Sequence, residues 1–353
     1  MKRLFLAPIS WIYKAVVTMR HRLFDWGMLK SEKFDIPIIC IGNITVGGTG
    51  KTPMAEMIID YMSRTRRIAL LSRGYGRRTK GYIEVRENSS YLEVGDEPLQ
   101  IKLKFPETVV VVCEKRVEGI NRIMKEHPEV DLIVMDDGFQ HRYVDPKINV
   151  VMVDATRPIQ HDDMLPLGSL RDIPEMLYRA HFFVVTKCPD DMKPIDRRVM
   201  RKVLVSMAYQ KVYFTRFESF RPVPLYDEAP DVVEHGMEAI ALSGVGNPVP
   251  FVGEVAKSYK LVEEVSLGDH HVYMRSDMKH LMTLLEKHPN AVILTTEKDA
   301  VKLINRSKIP DLIRRKLYYI PVNISFTEGS ETDFLQKLEQ DVQRNSTDCS
   351  LYQ

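Results

Sequence analysis

Ile38-Ile39-Cys40-Ile41-Gly42-Asn43-Ile44-Thr45-Val46-Gly47-Gly48-Thr49-Gly50-Lys51-Thr52 decides the fold of this chain: an apolar run, a glycine-punctuated turn and a Lys-Thr pair. The order predicts a strand, a phosphate-binding loop and the start of a helix. Glycines let backbone N–H groups close around phosphates, a lysine reaches the β/γ oxygens, and a threonine hydroxyl can ligate Mg²⁺. The following helix points the positive end of its dipole at the anion. Pro53 suits a first helical turn, and Ala55, Ile58, Ile59 and Met62 recur at helical spacing to form a buried face. The usual first glycine of such a loop is here Thr45, and the Gly47-Gly48 pair is expected to supply the backbone freedom instead. A flexible loop that binds nothing is the bland alternative.

Working outward, apolar runs at 36–42, 67–72, 108–113, 130–136, 148–154 and 181–187 read as strands. Helical patterns at 53–64, 115–126 and 174–180 lie between them. Uninterrupted apolar strands alternating with helices predict an α/β fold, a mostly parallel sheet covered on both faces. Ligands of such sheets gather at the carboxyl ends of the strands. A Pro-rich stretch from Phe220 to Pro230 precedes further strands near 237–243, 291–296 and 317–323, with helices near 249–258, 277–288 and 332–343. The expected division is a helix over 1–30, a phosphate-loop domain over 31–219, a linker over 220–235, a smaller α/β domain over 236–345 and a tail over 346–353.

Bulk composition narrows the class. With 44% hydrophobic and 28% charged residues the chain is globular, and a net charge of +2 argues against a nucleic-acid binder. Cys40, Cys113, Cys188 and Cys349 are far apart, which fits a reducing cytoplasm rather than a disulfide framework or zinc site. Residues 1–24 carry Lys2, Arg3, Lys14, Arg20 and Arg22 and no acid, with Ile9, Ile12, Tyr13, Val16, Val17, Leu23 and Phe24 on one helical face and Trp11 at its edge. The uncharged run is too short for a span of roughly 20 apolar residues, and no cleavage site follows it. Two readings stand: a helix lying on an anionic membrane surface, or one docked on the protein's own core.

Candidate chemistry lies after the strands. Asp136-Asp137-Gly138 ends an apolar run, where phosphate-loop proteins place an Asp for Mg²⁺ and where Asp-Asp-Gly is also good turn chemistry. Asp96-Glu97-Pro98 reads either as a general base for an attacking hydroxyl or as a helix start with Asp96 as N-cap, the cap being the favoured reading. The loops Ser72–Arg78 and Leu165–Asp172 carry arginines able to clamp phosphate oxygens or simply to face solvent. Asp269-His270-His271 reads as a carboxylate-oriented histidine or an ordinary surface one, without the spacing of a metal cluster.

Together GNITVGGTGKTP, SRGYGR, GDEP, DDGFQH, LPLGSLRD, SGVGNP, DHHVY and TTEKDAVKL, spread in order over about residues 36–303, resemble the tetraacyldisaccharide 4'-kinases, the lipid A 4'-kinases of Gram-negative bacteria. The resemblance implies transfer of the ATP γ-phosphoryl group to the 4' hydroxyl of an acylated glucosamine disaccharide 1-phosphate. ATP and Mg²⁺ are the implied cofactors. A two-domain fold and peripheral attachment to the anionic cytoplasmic face of the inner membrane are implied as well, with no obligate protein partner. Carried over position by position, the nucleotide loop is Thr45, Val46, Gly47, Gly48, Thr49, Gly50, Lys51 and Thr52, with Thr52 and Asp136 as Mg²⁺ ligands. Asp96 matches the base, Asp137 an active-site carboxylate, and His270 a histidine paired with it across the cleft. Glu97, Arg77, Arg116, Gln140, His141, Arg171 and Asp172 match positions that line the substrate site, Asp172 standing where a Glu is expected. Two competitors remain: a membrane-associated ATPase switch, weakened because Val46 stands where its signature lysine would be, and a soluble small-metabolite kinase.

Overall fold

The computed structural model describes residues 2–269, 271–304 and 308–344. A large sheet is built from β1 (Ile38–Gly42), β2 (Ile68–Ser72), β3 (Ile83–Glu84), β4 (Val109–Val112), β5 (Leu132–Asp136), β6 (Ile148–Asp154), β7 (Phe182–Thr186) and β8 (Lys211–Ser219). A smaller one holds β9 (Val223–Pro224), β10 (Glu238–Ser243), β11 (Lys260–Ser266), β12 (Val292–Thr296) and β13 (Leu317–Ile320). The last strand, β14 (Val322–Phe326), rejoins the large sheet. The large sheet runs in the order β14-β8-β7-β6-β1-β5-β2-β4-β3 and the small one β11-β10-β12-β13-β9. Both are parallel except at the edges, where β14, β3 and β9 run antiparallel to their neighbours.

Helices α1 (Lys2–Asp25), α2 (Lys51–Met62), α3 (Tyr91–Val94), α4 (Asp96–Lys104), α5 (Arg116–Glu126) and α6 (Pro194–Leu204) belong to the large unit. In the small unit are α7 (Val249–Ser258), α8 (Arg275–Lys287), α9 (Glu297–Ile304) and α10 (Asp311–Arg314), and α11 (Glu331–Gln343) closes the described chain. The central strands are buried on both faces, which is why they read as continuous apolar runs. On one face Ile39, Ile41, Leu70 and Val134 meet Met54, Ile58 and Ile59 of α2; on the other Cys40, Leu71 and Ile133 meet Ile120 and Ile123 of α5. Residues 174–179, expected as a helix, form a 3₁₀ helix.

The domain boundaries require correction. The strand expected over 317–323 breaks at Pro321 into β13, in the small sheet, and β14, in the large one. Pro321, which has no N–H to donate to a ladder, stands at the point where the chain changes sheets. Ile324 and Phe326 of β14 and Phe334, Leu335, Leu338 and Val342 of α11 join the core around α2. The expected linker 220–235 likewise belongs to the small unit, since β9 pairs with β13 and Leu225, Tyr226, Ala229 and Val233 are buried there. Two adjacent crossings, one after β8 and one at Pro321, therefore join the units.

Helix α1 docks on the protein's own core with one face and leaves a second set of apolar side chains exposed. Ser10, His21 and Phe24 are buried and Tyr13 and Val17 pack on the core, whereas Ile9, Trp11, Ile12, Val16 and Met19 are exposed, Trp11 at 71%. The single apolar face expected from spacing is thus two faces. Among the described residues no helix is long and apolar enough to cross a membrane.

Candidate active site

The phosphate loop leaves β1 at the centre of the large sheet, between β5 and β6. Gly47 (φ +103°) and Gly50 (φ +87°) hold left-handed backbone that a side chain would strain. A Cβ on Gly50 would also lie 2.8 Å from the Phe217 ring. Thr45 needs no such freedom, because it bridges to Leu170, and Val46 N–H donates to the Ser169 carbonyl at 2.8 Å. This is the physical reason that the missing first glycine is tolerated. Asn43 Nδ2 donates to Thr49 Oγ1 at 2.8 Å and Thr186 Oγ1 to the Thr49 carbonyl at 3.1 Å, so the loop is held from both sides. Within the described residues the amides of Gly48, Thr49 and Gly50 meet no intramolecular backbone acceptor. A loop with amides in that state, opening the helix that starts at Lys51, suits an anion.

Asp136 ends β5 beside β1, with Ile41 as its register partner. It is 4% exposed; Ser72 Oγ donates to its Oδ2 at 3.4 Å, and Oδ1 is buried without a partner. Burial foremost, then the negative charges of Glu97 and Asp137, push its pKa up to about 7 against the opposing charges of Lys51 and Arg116. A buried carboxylate oxygen with no partner fits a cation. Among the described residues no three His, Cys, Asp or Glu side chains converge as a protein-only cage, and Mg²⁺ does not need one when phosphates complete its shell.

Asp137 follows in left-handed backbone (φ +48°), which Asp tolerates better than most residues. Arg171 grips it with two hydrogen bonds, Nη1 to Oδ2 at 2.9 Å and Nη2 to Oδ1, and also donates to Asn43 Oδ1. Lys51 Nζ stands 3.6 Å from Asp137 Oδ1. Burial works to raise the pKa of Asp137, but Arg171 and Lys51 outweigh it and lower the value to about 2. Neighbouring carboxylates are thus pushed apart: Asp137 is an anion at neutral pH, while Asp136 is poised to lose its proton.

Asp96 and Glu97 open α4. Gly95 is the N-cap and Asp96 the first helical residue, which corrects the N-cap expected for Asp96. From the small unit Lys298 reaches in, its Nζ 3.6 Å from Asp96 Oδ2 and 3.9 Å from Asp269. Burial raises the pKa of Glu97, with Asp96 adding and Lys298 opposing. A cavity of about 150 Å³ opens beside Asp96, lined from both units by Tyr75, Arg78, Tyr91 and Val272 among others. A larger one, of about 340 Å³, lies by Arg201, Tyr213 and Asp333 and touches none of these residues.

Other expected residues divide into two groups. Gln140 Nε2 donates to the Asn43 carbonyl at 2.6 Å, beside the loop. His141 is held neutral, its pKa lowered to about 4 by burial and then by the charges of Arg116, Arg20 and Arg73. Arg116, Arg77 and Asp172 face inward instead. Arg116 is buried and donates to the carbonyls of Cys113 and Asp136, a positive charge placed beneath the carboxylates. Arg77 is bound to Glu114 at 2.7 Å and to the Gly81 carbonyl, bracing its own loop. Asp172 is 1% exposed and meets His21 of α1 at 2.6 Å, so its expected contact with substrate is corrected to a contact with the helix. His270 lies outside the described residues. Sequence reasoning passed over Asn43 and Lys298. Lys298 did carry a signal, since a lysine in the first turn of a helix sits against the positive end of its dipole.

The family model for tetraacyldisaccharide-1-P 4'-kinase matches residues 2–343. The tetraacyldisaccharide 4'-kinase of Phocaeicola vulgatus is 37% identical, over 97% of this chain and 96% of its own. That of Bacteroides thetaiotaomicron is 35% identical, over 98% and 95%. The crystal structure of LpxK from Aquifex aeolicus in complex with ATP is similar with a TM-score of 0.74 and 25% identity, covering 97% of this chain and 100% of that one.

Proposed function

This chain belongs to the tetraacyldisaccharide-1-P 4'-kinase family and is an ATP-dependent 4'-kinase of the lipid A precursor; we propose that the residues gathered at the carboxyl ends of β1 and β5, with α4 facing them, carry out the transfer. The observation that carries this assignment is the convergence of Lys51, Asp136 and Asp137 at the strand ends, linked by charge to the Asp96-Glu97 pair. In this reading residues 45–52 cradle the triphosphate and Lys51 leaves Asp137 for the β/γ oxygens. Thr52 and Asp136 would hold Mg²⁺, which would supply neutralisation of the charge on the phosphate oxygens. Phosphoryl transfer needs alignment and charge neutralisation more than covalent work, so rigid support of Asp137 by Arg171 is itself functional. Asp96 takes the proton of the 4' hydroxyl as it attacks, and the substrate enters by the cavity that Asp96 lines. His270 is assigned by resemblance to support Asp137 across the cleft and Gln140 and His141 to contact the substrate, whereas Arg77, Arg116 and Asp172, matched by resemblance to the substrate site, are read from their inward contacts as supporting it from inside.

The acceptor is an acylated glucosamine disaccharide 1-phosphate that stays in a bilayer. The exposed face of α1 is its meeting point with the anionic cytoplasmic surface of the inner membrane. Purified protein given γ-labelled ATP, Mg²⁺ and the acylated disaccharide monophosphate should place label on the lipid in step with ADP release. ADP formed with no labelled lipid would make the chain an ATPase switch, and label on a small sugar alone would make it a metabolite kinase.

A further inference from the structure

Helix α1 has an inner face that reaches the grip on Asp137. Tyr13 Oη donates to the Arg171 carbonyl at 3.0 Å, and His21 Nε2 lies 2.6 Å from Asp172 Oδ1, both side chains of that pair almost wholly buried. Between these anchors the main chain is pinned to β1's exit, the N–H groups of Arg171 and Asp172 both donating to the Ile44 carbonyl. Arg20 of α1 donates to the Gln140 carbonyl at 3.0 Å, and Gln140 in turn donates to the Asn43 carbonyl. Arg142 locks the helix from the far side, bonding the His21 carbonyl at 3.2 Å and Asp25 at 2.8 Å.

We propose that Tyr13 and His21 are positioning residues for phosphoryl transfer, holding the Arg171–Asp172 main chain so that the Arg171 guanidinium stays locked on Asp137. The inference rests on the reading that Asp137 stands at the transfer centre. Arg171 sits in a loop, and a loop side chain aims only as well as its backbone is held. Its forked contact tolerates little displacement, and errors of about 1 Å in a catalytic constellation cost about 10²-fold in rate. The Asp172 carboxylate itself serves the α1 histidine. The inner face of α1 is therefore part of the site, separate in role from the apolar face turned outward.

The test uses the full chain with Mg²⁺-ATP and detergent-dispersed lipid acceptor. Measured are kcat, the KM for each substrate, the melting temperature and vesicle co-sedimentation for Tyr13→Phe, His21→Ala, His21→Gln and Arg171→Ala. Expected are a loss of about 10–10²-fold in kcat for His21→Ala, a smaller loss for Tyr13→Phe, partial rescue by His21→Gln, and little change in KM or vesicle binding. Tyr13→Phe removes one hydroxyl and keeps the ring, so it decides the matter if His21→Ala fails to fold. Wild-type kcat in folded Tyr13→Phe or His21→Ala protein, with Arg171→Ala inactive, overturns the proposal. Wild-type kcat in Arg171→Ala overturns instead the underlying reading of the site.

Discussion

At the scale of single residues, the neighbouring carboxylates differ because their partners differ. Asp137 has Arg171 and Lys51; Asp136 has a weak contact from Ser72 and an oxygen with none. The Asp136 pKa of about 7 lies above its ordinary 3.8. Folding therefore favours the protonated acid, and the stability it contributes at low pH is lost as pH rises from about 4 through about 7. The metal-free protein should lose melting temperature over that window through this group, Mg²⁺ should bind more tightly above pH about 7 than below it, and Asp136→Asn should flatten both trends. Thermal melts and Mg²⁺ titrations across pH 5–8 decide this; equal pH dependence in Asp136→Asn would remove Asp136 from the metal site. Lys51→Ala should fold normally yet lose about 10²–10³-fold in kcat, since the β/γ charge loses its fixed cation. Near-normal turnover in that variant would refute the phosphate-loop assignment.

At the scale of elements, α4 and α9 carry the link between the units. Lys104 of α4 lies 2.6 Å from Glu56 of α2 and 3.5 Å from Glu297 of α9, so one lysine ties the phosphate-loop helix to the small unit. At the opposite end of α4, Asp96 pairs with Lys298, the residue after Glu297 on α9. If Lys298 acts by orienting the base, a double-mutant cycle of Asp96→Asn and Lys298→Met should show losses in kcat that do not add, with a coupling of about 0.5–3 kcal/mol. Asp96→Asn alone should cost about 10²–10⁴-fold in kcat with little effect on the KM for ATP. Strictly additive losses would mean that Lys298 has a separate task.

On the scale of the whole molecule, α1 joins two surfaces: a buried polar one that reaches Arg171 and an outward apolar one with basic neighbours. Deleting the helix would strip both at once, so the proposed membrane contact is better tested at Lys14 and Arg22, which are exposed and lie outside the bonds to Arg171 and Gln140. Reversing both charges should weaken binding to anionic vesicles by roughly 1 kcal/mol each at low salt, and by less at high salt. Co-sedimentation unchanged by the reversal at every salt concentration would exclude an electrostatic contribution from these charges.

Much of this protein was legible in its residues. The strand–loop–helix order around Lys51, the apolar runs of the large sheet and Asp136-Asp137 at a strand end are local patterns, and local patterns are what hydrophobic period and glycine placement encode. Tertiary structure alone decided which sheet receives β14, because an apolar strand and an amphipathic helix such as α11 fit either core equally well by pattern. It alone turned Asp172 and Arg77 inward and brought Lys298 and His21 to residues distant in sequence. Side-chain partners so far apart along the chain leave no periodic trace, since they are chosen by packing and by the need to pair buried charge, and both exist only once the chain has folded.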